Sequence, residues 1–261
     1  MTKYWAIFKT QTINNIAYAG DLAVGGVTIV LFLWIFAQLW RVTYGAVGAT
    51  QIAGMTLSDT LWYLMIAETI ILSRPRLARL IAQQVRDGSV AYLLNKPYNF
   101  LLYQASVGMG DSVLRMGFNL LFGGAIVWVL AGPPPSPAGW PLVLVAMSLA
   151  WLIDFCISAL IGLAAFVTED VAAFEWIYGK ILFILGGLLI PLDFYPQWLQ
   201  TIAKSLPFAY TVYGPARLFV DPSLSRFGQL VLFQGVWLLV LGGLVTWAFN
   251  RGMRWLSING G

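Results

Sequence analysis

The chain contains no histidine and a single cysteine, Cys156. Without histidine it lacks the commonest metal ligand and the usual general base of catalysis, and one cysteine excludes an intramolecular disulfide. No phosphate-binding loop of the form G-x-x-x-x-G-K-[ST] occurs in the sequence. Because no nucleophile and base cluster together either, the sequence predicts that the chain is not an enzyme.

Charge is also scarce. Charged residues make up 10% of the chain and hydrophobic residues 59%, whereas a soluble domain usually carries about 25% charged residues. Residues 22–40 and 227–250 contain no charge at all, and a helix needs about 20 apolar residues to cross the hydrocarbon region. This composition predicts an all-α, multi-pass membrane protein and excludes an ordinary soluble domain.

Six apolar stretches are predicted to span the membrane, within one transmembrane domain that covers residues 1–261. They are residues 22–40, 57–73, 106–131, 140–167, 174–190 and 228–249. A Pro- and Gly-rich stretch at 132–141 predicts a turn, and Thr168-Glu169-Asp170 ends the fourth span. Residues 1–20 predict either an interfacial helix or an ordinary cytoplasmic tail.

The distribution of lysine and arginine predicts the orientation. Six spans place both termini on one side, and the cytoplasmic side carries the excess of these residues. With both termini inside, nine lie on the cytoplasmic side, namely Lys3, Lys9, Arg74, Arg76, Arg79, Arg86, Lys96, Arg251 and Arg254. Four lie outside, namely Arg41, Lys204, Arg217 and Arg226. The prediction is therefore N-in and C-in.

Residues 74–97, which we call the basic segment, form an informative connection on the cytoplasmic side. Proline near a helix start, apolar residues at helical spacing and a terminal Asp87-Gly88 predict an amphipathic helix, a break and a second short helix. The apolar residues are Leu77, Leu80, Ile81 and Val85, then Val90, Leu93 and Leu94. An apolar face needs something to pack against, which favours a docking role. The alternative is a surface helix with positive-inside charge only.

Residues 191–226, the outer segment, form a long connection on the other side. Trp198, Ile202 and Leu206 recur at four-residue spacing, and a second helical run covers residues 211–220. Non-spanning backbone persists at membrane depth only when it is buried in protein or lines a cavity. We expect two short re-entrant or interfacial helices, with a loop lying on the outer headgroups as an equal alternative.

Five charged residues lie within or near the predicted spans: Glu68, Asp111, Arg115, Asp154 and Lys180. Such groups are costly in a membrane and are either paired or functional. Asp111 and Arg115 are one helical turn apart and are predicted to pair. Glu68 is predicted to pair with the arginines that open the basic segment. Asp154 is predicted to meet Arg115 or Lys180, or to bind a proton or substrate.

These pieces resemble the permease subunits of ABC type-2 exporters, in a bacterial group with six spans. The resemblance covers essentially the whole chain and rests on the N-terminal helix, ARLIAQQVRDGSVAYLLNKP, LPFAYTVYGPARLF and the tail RGMRWLSINGG. It implies that the basic segment is a coupling helix that docks on a separate ATPase, through Arg76, Arg79, Arg86, Asp87, Gly88, Leu93 and Lys96. It also implies an outer gate formed by Trp198, Leu206, Pro207, Phe208, Pro215 and Arg217.

The resemblance implies a permease subunit of an ATP-driven exporter in the bacterial cytoplasmic (inner) membrane. The chain would hold no cofactor or metal, since ATP and Mg would be bound by a dimeric partner ATPase. A second permease subunit, identical or a similar paralogue, would complete the substrate pathway at the dimer interface. The other partner is the lipid bilayer, with no nucleic acid. Two alternatives stay open, an ion-gradient-driven secondary transporter that uses Asp154 and Lys180, and a non-transporting membrane scaffold.

Overall fold

A computed structural model describes residues 2–17, 19–136, 139–168 and 170–259, with side chains at all of these except 19, 21–23 and 253–259. This part of the chain is helical, and it contains no strand beyond an isolated bridge between Ile52 and Met55. The helices are α1 (Thr2–Ala17), α2 (Ala19–Val47), α3 (Leu57–Leu72), α4 (Leu77–Arg86), α5 (Ser89–Leu94), α6 (Phe100–Ala131), α7 (Trp140–Leu163), α8 (Ala172–Ile184), α9 (Gln197–Lys204), α10 (Pro207–Thr211), α11 (Tyr213–Val220) and α12 (Leu224–Asn259). Two short 3₁₀ helices, Ala164–Phe166 and Leu192–Phe194, follow α7 and α8. The all-α prediction is confirmed for these residues.

Four helices are long and apolar enough to cross a membrane. The qualifying stretches are Val24–Val47, Phe100–Ala131, Trp140–Phe166 and Leu224–Gly252. They correspond to the first, third, fourth and sixth predicted spans. The shortest has 24 residues, more than the roughly 20 that a crossing requires. Helix α6 begins before the predicted residue 106 because the Asn99 side chain accepts a hydrogen bond from the Leu102 N–H and caps the helix there.

The other two predicted spans form shorter helices. Helix α3 has 16 residues and α8 has 13, which gives lengths of about 24 and 20 Å at 1.5 Å per residue. The hydrocarbon core is about 30 Å thick. Helix α8 ends at Ile184, and Gly187 then adopts a φ of +70°, a conformation that glycine tolerates best. The predicted fifth span, residues 174–190, is therefore α-helical only from Ala172 to Ile184, and the six-span topology stays a prediction.

Helix α3 lies in the centre of the bundle. Residues 60–70 are all buried, and the helix packs against α2, α6 and α11. Its Trp62 indole donates a hydrogen bond to the Gly132 carbonyl at 3.2 Å, and the Tyr63 hydroxyl donates to the Gly187 carbonyl. Because protein surrounds α3, the thickness of the bilayer does not set its length.

The outer segment contains three helices, α9 to α11, instead of the two predicted runs. Helix α11 packs against α3 and α7, and its Leu218 and Phe219 are fully buried. Helix α9 lies at the surface, where Trp198 is 65% exposed. The expectation of a helix buried in protein therefore fits α11, whereas the expectation of a segment at the surface fits α9.

Some predicted features lie partly outside the described residues. These are positions 1 and 18 of the N-terminal helix, positions 137 and 138 of the Pro- and Gly-rich turn, and Glu169 at the end of the fourth span. The side chains of the tail from position 253, including Arg254, and residues 260–261 also lie outside them. The tail backbone continues α12 to Asn259, so the sixth span and the tail form one helix.

Candidate functional site

The basic segment consists of α4 and α5, joined at Asp87 and Gly88. Gly88 has a φ of +74°, which favours glycine. The Asp87 carboxylate accepts a hydrogen bond from the Ser89 backbone N–H at 2.9 Å. Hydrogen bonding from the side chain and backbone of Ser89 lowers the pKa of Asp87. The segment therefore has a helix–glycine–helix layout with a charged carboxylate at its exposed corner.

The apolar face of α4 packs on α7 of the same chain. Leu77 and Ile81 are buried, and Gly162 of α7 lets the two helices lie close together. A Cβ atom at Gly162 would lie 2.9 Å from Cβ of Ile81 and 3.2 Å from the backbone of Ala78. The apolar face is therefore covered by α7 of the same chain and does not itself argue for a partner, and the docking role of the segment stays a prediction. Leu80, predicted on the same face, is exposed instead.

The opposite face of α4 is polar and exposed. Arg79 and Arg86 are seven residues apart, which places both on one side of the helix, and both are exposed, as are Asp87 and Gly88. Arg79 also forms an ion pair with Glu175 at the start of α8. These residues form a continuous surface that a partner could contact, and their predicted coupling role stays a prediction.

The remaining predicted coupling residues are Leu93, Lys96 and Arg76. Leu93 is half-buried and packs against the hydrophobic cluster that contains Leu77, Ile81 and Val90. Nζ of Lys96 lies 4.1 Å from the ring centroid of Tyr92. Arg76 precedes α4 and lines a cavity together with Arg115 of α6. Arg79, Arg86, Asp87 and Gly88 thus share the exposed surface, Leu93 and Lys96 lie apart from it, and Arg76 lines a second cavity together with Arg79.

Asp154 of α7 is buried and pairs with Arg74, which opens the basic segment. Nε of Arg74 lies 2.7 Å from Oδ1 of Asp154, and the Tyr178 hydroxyl donates a hydrogen bond to the same oxygen at 2.7 Å. The guanidinium carbon of Arg74 also lies 4.5 Å from the ring centroid of Tyr178. The prediction that Asp154 meets Arg115 or Lys180 was wrong, because Arg74 and Tyr178 occupy its surroundings instead.

Asp111 and Arg115 pair as predicted, with 2.8 Å between Oδ1 and Nη2. The Asn15 amide of α1 donates a further hydrogen bond to the same Asp111 oxygen at 3.3 Å. This contact fixes α1 against α6. The pair is therefore satisfied locally, which supports a structural role.

The other two intramembrane charges are unpaired within the described chain. Glu68 is buried and forms no ion pair with Arg74 or Arg76 there, so that prediction was wrong. Lys180 is exposed on α8, with its Nζ 5.4 Å from the ring centroid of Trp176. Lys180 and Asp154 therefore form no ion pair with each other among the described residues.

Ion pairs hold the outer segment together. Nε of Arg217 lies 3.3 Å from Oδ2 of Asp193, and Nη1 lies 3.6 Å from Oδ2 of Asp221. The Tyr213 hydroxyl donates a hydrogen bond to Asp193 at 3.2 Å. These contacts attach the 3₁₀ helix after α8 to α11. A cavity of about 720 Å³ opens beside them, lined in part by Lys204.

Among the other predicted gate residues, Pro207 and Pro215 are buried, and Pro207 begins α10. Leu206 and Phe208 are half-buried, and Trp198 is exposed. The structure therefore places all of these except Trp198 at least partly inside the packed region. Their gating role stays a prediction.

Phe208 connects the outer segment to the buried charge centre. Its ring centroid lies 6.0 Å from that of Tyr178, the residue that donates to Asp154. A chain of contacts thus runs from Arg74 through Asp154 and Tyr178 to Phe208. Sequence reasoning missed Tyr178, since one tyrosine in an apolar stretch suggests packing. The sequence feature that could have indicated a role for Tyr178 is its position three residues after Glu175, on the same face of α8.

The basic end of this chain of contacts borders a cavity of about 640 Å³. Arg74, Arg79, Glu175 and Tyr178 all contribute to its walls. The cavity lies between the basic segment and α8, so a displacement of α4 would change its shape.

The long apolar helices and the buried charge centre define a multi-pass membrane protein. The chain belongs to the family described as ABC-2 family transporter protein, whose match covers residues 25–260. This confirms the resemblance to ABC type-2 permeases, and it makes the chain a membrane transport subunit and not an enzyme. Permeases of this family usually work with an ATPase partner. A search of curated proteins finds no match.

Proposed function

We propose that the chain is the permease subunit of an ATP-driven exporter, moved by a separate ATPase that docks on the exposed face of the basic segment. The observation that carries this proposal is the chain of contacts from Arg74 to Phe208. It connects the segment where an ATPase would act with the segment predicted to close the pathway.

The contacts around α4 suggest how movement would be transmitted. Ile81 packs at Gly162 of α7, and Arg79 pairs with Glu175 of α8. Because α4 is attached to both helices, a push on its exposed face would shift α7 relative to α8. Such a shift would alter the contact between Tyr178 and Phe208. Closure of an ATPase dimer would in this way open the outer segment.

A second permease subunit would complete the pathway. On α8, Trp176 is 66% exposed, and Phe183 and Lys180 are exposed beside it. A lysine that faces lipid within the membrane is costly. This face is better explained if it borders another subunit or a water-filled pathway between two subunits. The cell envelope location would be the bacterial cytoplasmic membrane.

The solute would be hydrophobic or amphipathic. The outer cavity combines aromatic walls, Tyr210 and Phe233, with cationic groups, Lys204 and Arg226. Mixed walls of this kind suit a solute that has both an apolar body and a polar group.

The coupling proposal is tested with the full-length protein, isolated in detergent from its own cells and assayed for co-purifying Mg-ATP hydrolysis. Arg86→Glu and Gly88→Val should each lower this activity at least fivefold, while the permease remains inserted. Gly54→Val is the matched control, because Gly54 also has a positive φ, +77°, and a Cβ placed there would meet no atom within 4 Å. Unchanged ATP hydrolysis in both test variants would contradict the proposal.

The secondary-transporter alternative uses Asp154 and Lys180, and no ion pair between these two described residues supports it. Transport in intact cells distinguishes the two mechanisms. An ATP-driven exporter stops when ATP is depleted and continues when an uncoupler collapses the proton gradient at constant ATP. The opposite pattern would favour the ion-driven mechanism.

A further inference from the structure

A cavity of about 380 Å³ lies between α2, the end of α3 and α6, and it shares Arg76 with the larger cavity beside Arg74. Arg76 and Arg115 line it together with the polar residues Thr28 and Asn119. Arg115 already pairs with Asp111. Arg76 is exposed and forms no ion pair with any described residue. The cavity therefore carries a positive charge that the described chain does not compensate.

The cavity lies near one boundary of the apolar region. Its Asn119 donates a hydrogen bond to Ser73, just beyond α3, at 3.1 Å. The opposite ends of α3 and α6 meet where Ser58 donates to the Ala131 carbonyl. Along α6, Arg115 lies about 24 Å from Ala131 at 1.5 Å per residue. In a hydrocarbon core about 30 Å thick, this places Arg115 close to the headgroups on the α4 side.

We propose that this cavity binds the phosphate of an anionic phospholipid from the leaflet on the α4 side, with Arg76 as the uncompensated cation and Arg115, which keeps its partner Asp111, as a second hydrogen-bond donor. Guanidinium groups match the oxygens of a phosphate well, and basic pockets between transmembrane helices recognise lipid headgroups. A lipid is favoured over a soluble phosphate because Val24, Leu72 and Phe118 add apolar walls on which acyl chains can pack.

Binding there would have a structural consequence. Arg76 immediately precedes α4, whereas Thr28 and Arg115 belong to α2 and α6. A phosphate held between them would fix the start of the basic segment against two membrane-spanning helices. Lipid binding here requires no ATPase, so failure of the site would leave the proposed transport function untouched.

The test uses the purified full-length protein in detergent and native mass spectrometry. Phosphatidylglycerol is titrated in, with phosphatidylcholine as the zwitterionic comparison and glycerol 3-phosphate as the soluble phosphate. Phosphatidylglycerol should bind at least fivefold more tightly than phosphatidylcholine. Arg76→Gln should lower its binding at least fivefold, and Arg76→Lys should retain most of it. Arg86→Gln, which removes an exposed arginine on the same segment, should have no effect.

A second variant fills the cavity without changing charge. Gly25 lines the cavity, and a Cβ there would meet no atom within 4 Å, as at Gly45 on the same helix. Gly25→Leu should lower phosphatidylglycerol binding at least fivefold, and the matched Gly45→Leu should not. Wild-type binding in both Arg76→Gln and Gly25→Leu would overturn the site. Equal binding of the two lipids would also overturn it, as would displacement of bound lipid by glycerol 3-phosphate at equal concentration.

Discussion

The Tyr178 hydroxyl donates a hydrogen bond to Asp154 at 2.7 Å, and the ring of the same tyrosine contacts Phe208 of the outer segment. One side chain thus touches a buried carboxylate and the segment beyond α8. Since Asp154 also pairs with Arg74, the stability of this centre is coupled to the basic segment.

Removing Arg74 should destabilise the protein, because it leaves a buried carboxylate without its cation. We expect Arg74→Met to lower the free energy of unfolding by about 2–3 kcal/mol. This is at or below the usual loss of about 3–5 kcal/mol for a broken buried pair, because the Arg74 side chain is 22% exposed. Adding Asp154→Asn should recover part of this loss. Thermal unfolding in detergent of both single variants and the double variant measures the coupling. Strictly additive effects would contradict the pairing, and Arg86→Met serves as the exposed control.

Two glycine-to-alanine changes should have opposite effects. A Cβ at Gly162 would press on Ile81, so Gly162→Ala should destabilise the protein by about 1–3 kcal/mol. A Cβ at Gly117 of α6 would meet no atom within 4 Å, so Gly117→Ala should stabilise by about 0.5–1 kcal/mol. Unfolding temperatures report the signs, and hydrogen exchange of α4 should rise only in Gly162→Ala. Protection of α4 that stays unchanged would disprove the close packing.

Arg217→Gln should loosen the junction between α8 and the outer segment. Arg217 contacts both Asp193 and Asp221, whereas Arg226 contacts only Asp221 of the two. Hydrogen exchange across residues 192–204 should therefore increase in Arg217→Gln and not in Arg226→Gln. The expected loss of stability is about 1 kcal/mol, because the pair is only partly buried. Equal hydrogen exchange in the two variants would show that the contact between Arg217 and Asp193 does not protect residues 192–204.

Cross-linking can locate the proposed second subunit. In a Cys156→Ser background, Lys180→Cys should cross-link between two chains in native membranes when a short bifunctional maleimide is added. Leu239→Cys is the control. Leu239 is 80% exposed on α12, and it lies in the uncharged stretch 227–250, so no charged residue beside it indicates an interface there. Cross-links at position 239 without any at 180 would place the interface on α12 instead.

Local features of the fold were predictable from the sequence. The Asp111–Arg115 pair follows from four-residue spacing, and the break at Gly88 follows from a glycine after a polar helix end. Arg74 and Asp154 are far apart in the chain, and no periodicity links an arginine before α4 with a carboxylate on α7. Only the packed structure brings them together.

Hydropathy also has a physical limit here. Apolar residues continue to Ile190, but helix α8 ends before Gly187, whose φ is positive. A hydropathy average depends only on which side chains are present, so it does not detect where the backbone stops being helical. In the same way it treats α3 as a lipid-facing span, although the surroundings of α3 are protein.

The 13-residue length of α8 has a consequence for the lipids around the protein. Its exposed apolar face is about 20 Å tall, which is shorter than a hydrocarbon core of about 30 Å. If lipid bordered this face, the bilayer would have to thin locally, whereas a second permease subunit that covers the face removes that cost. Hydrophobic mismatch would therefore favour association of two chains through α8. Acyl-chain length becomes a physical variable that would tune how strongly the two chains associate.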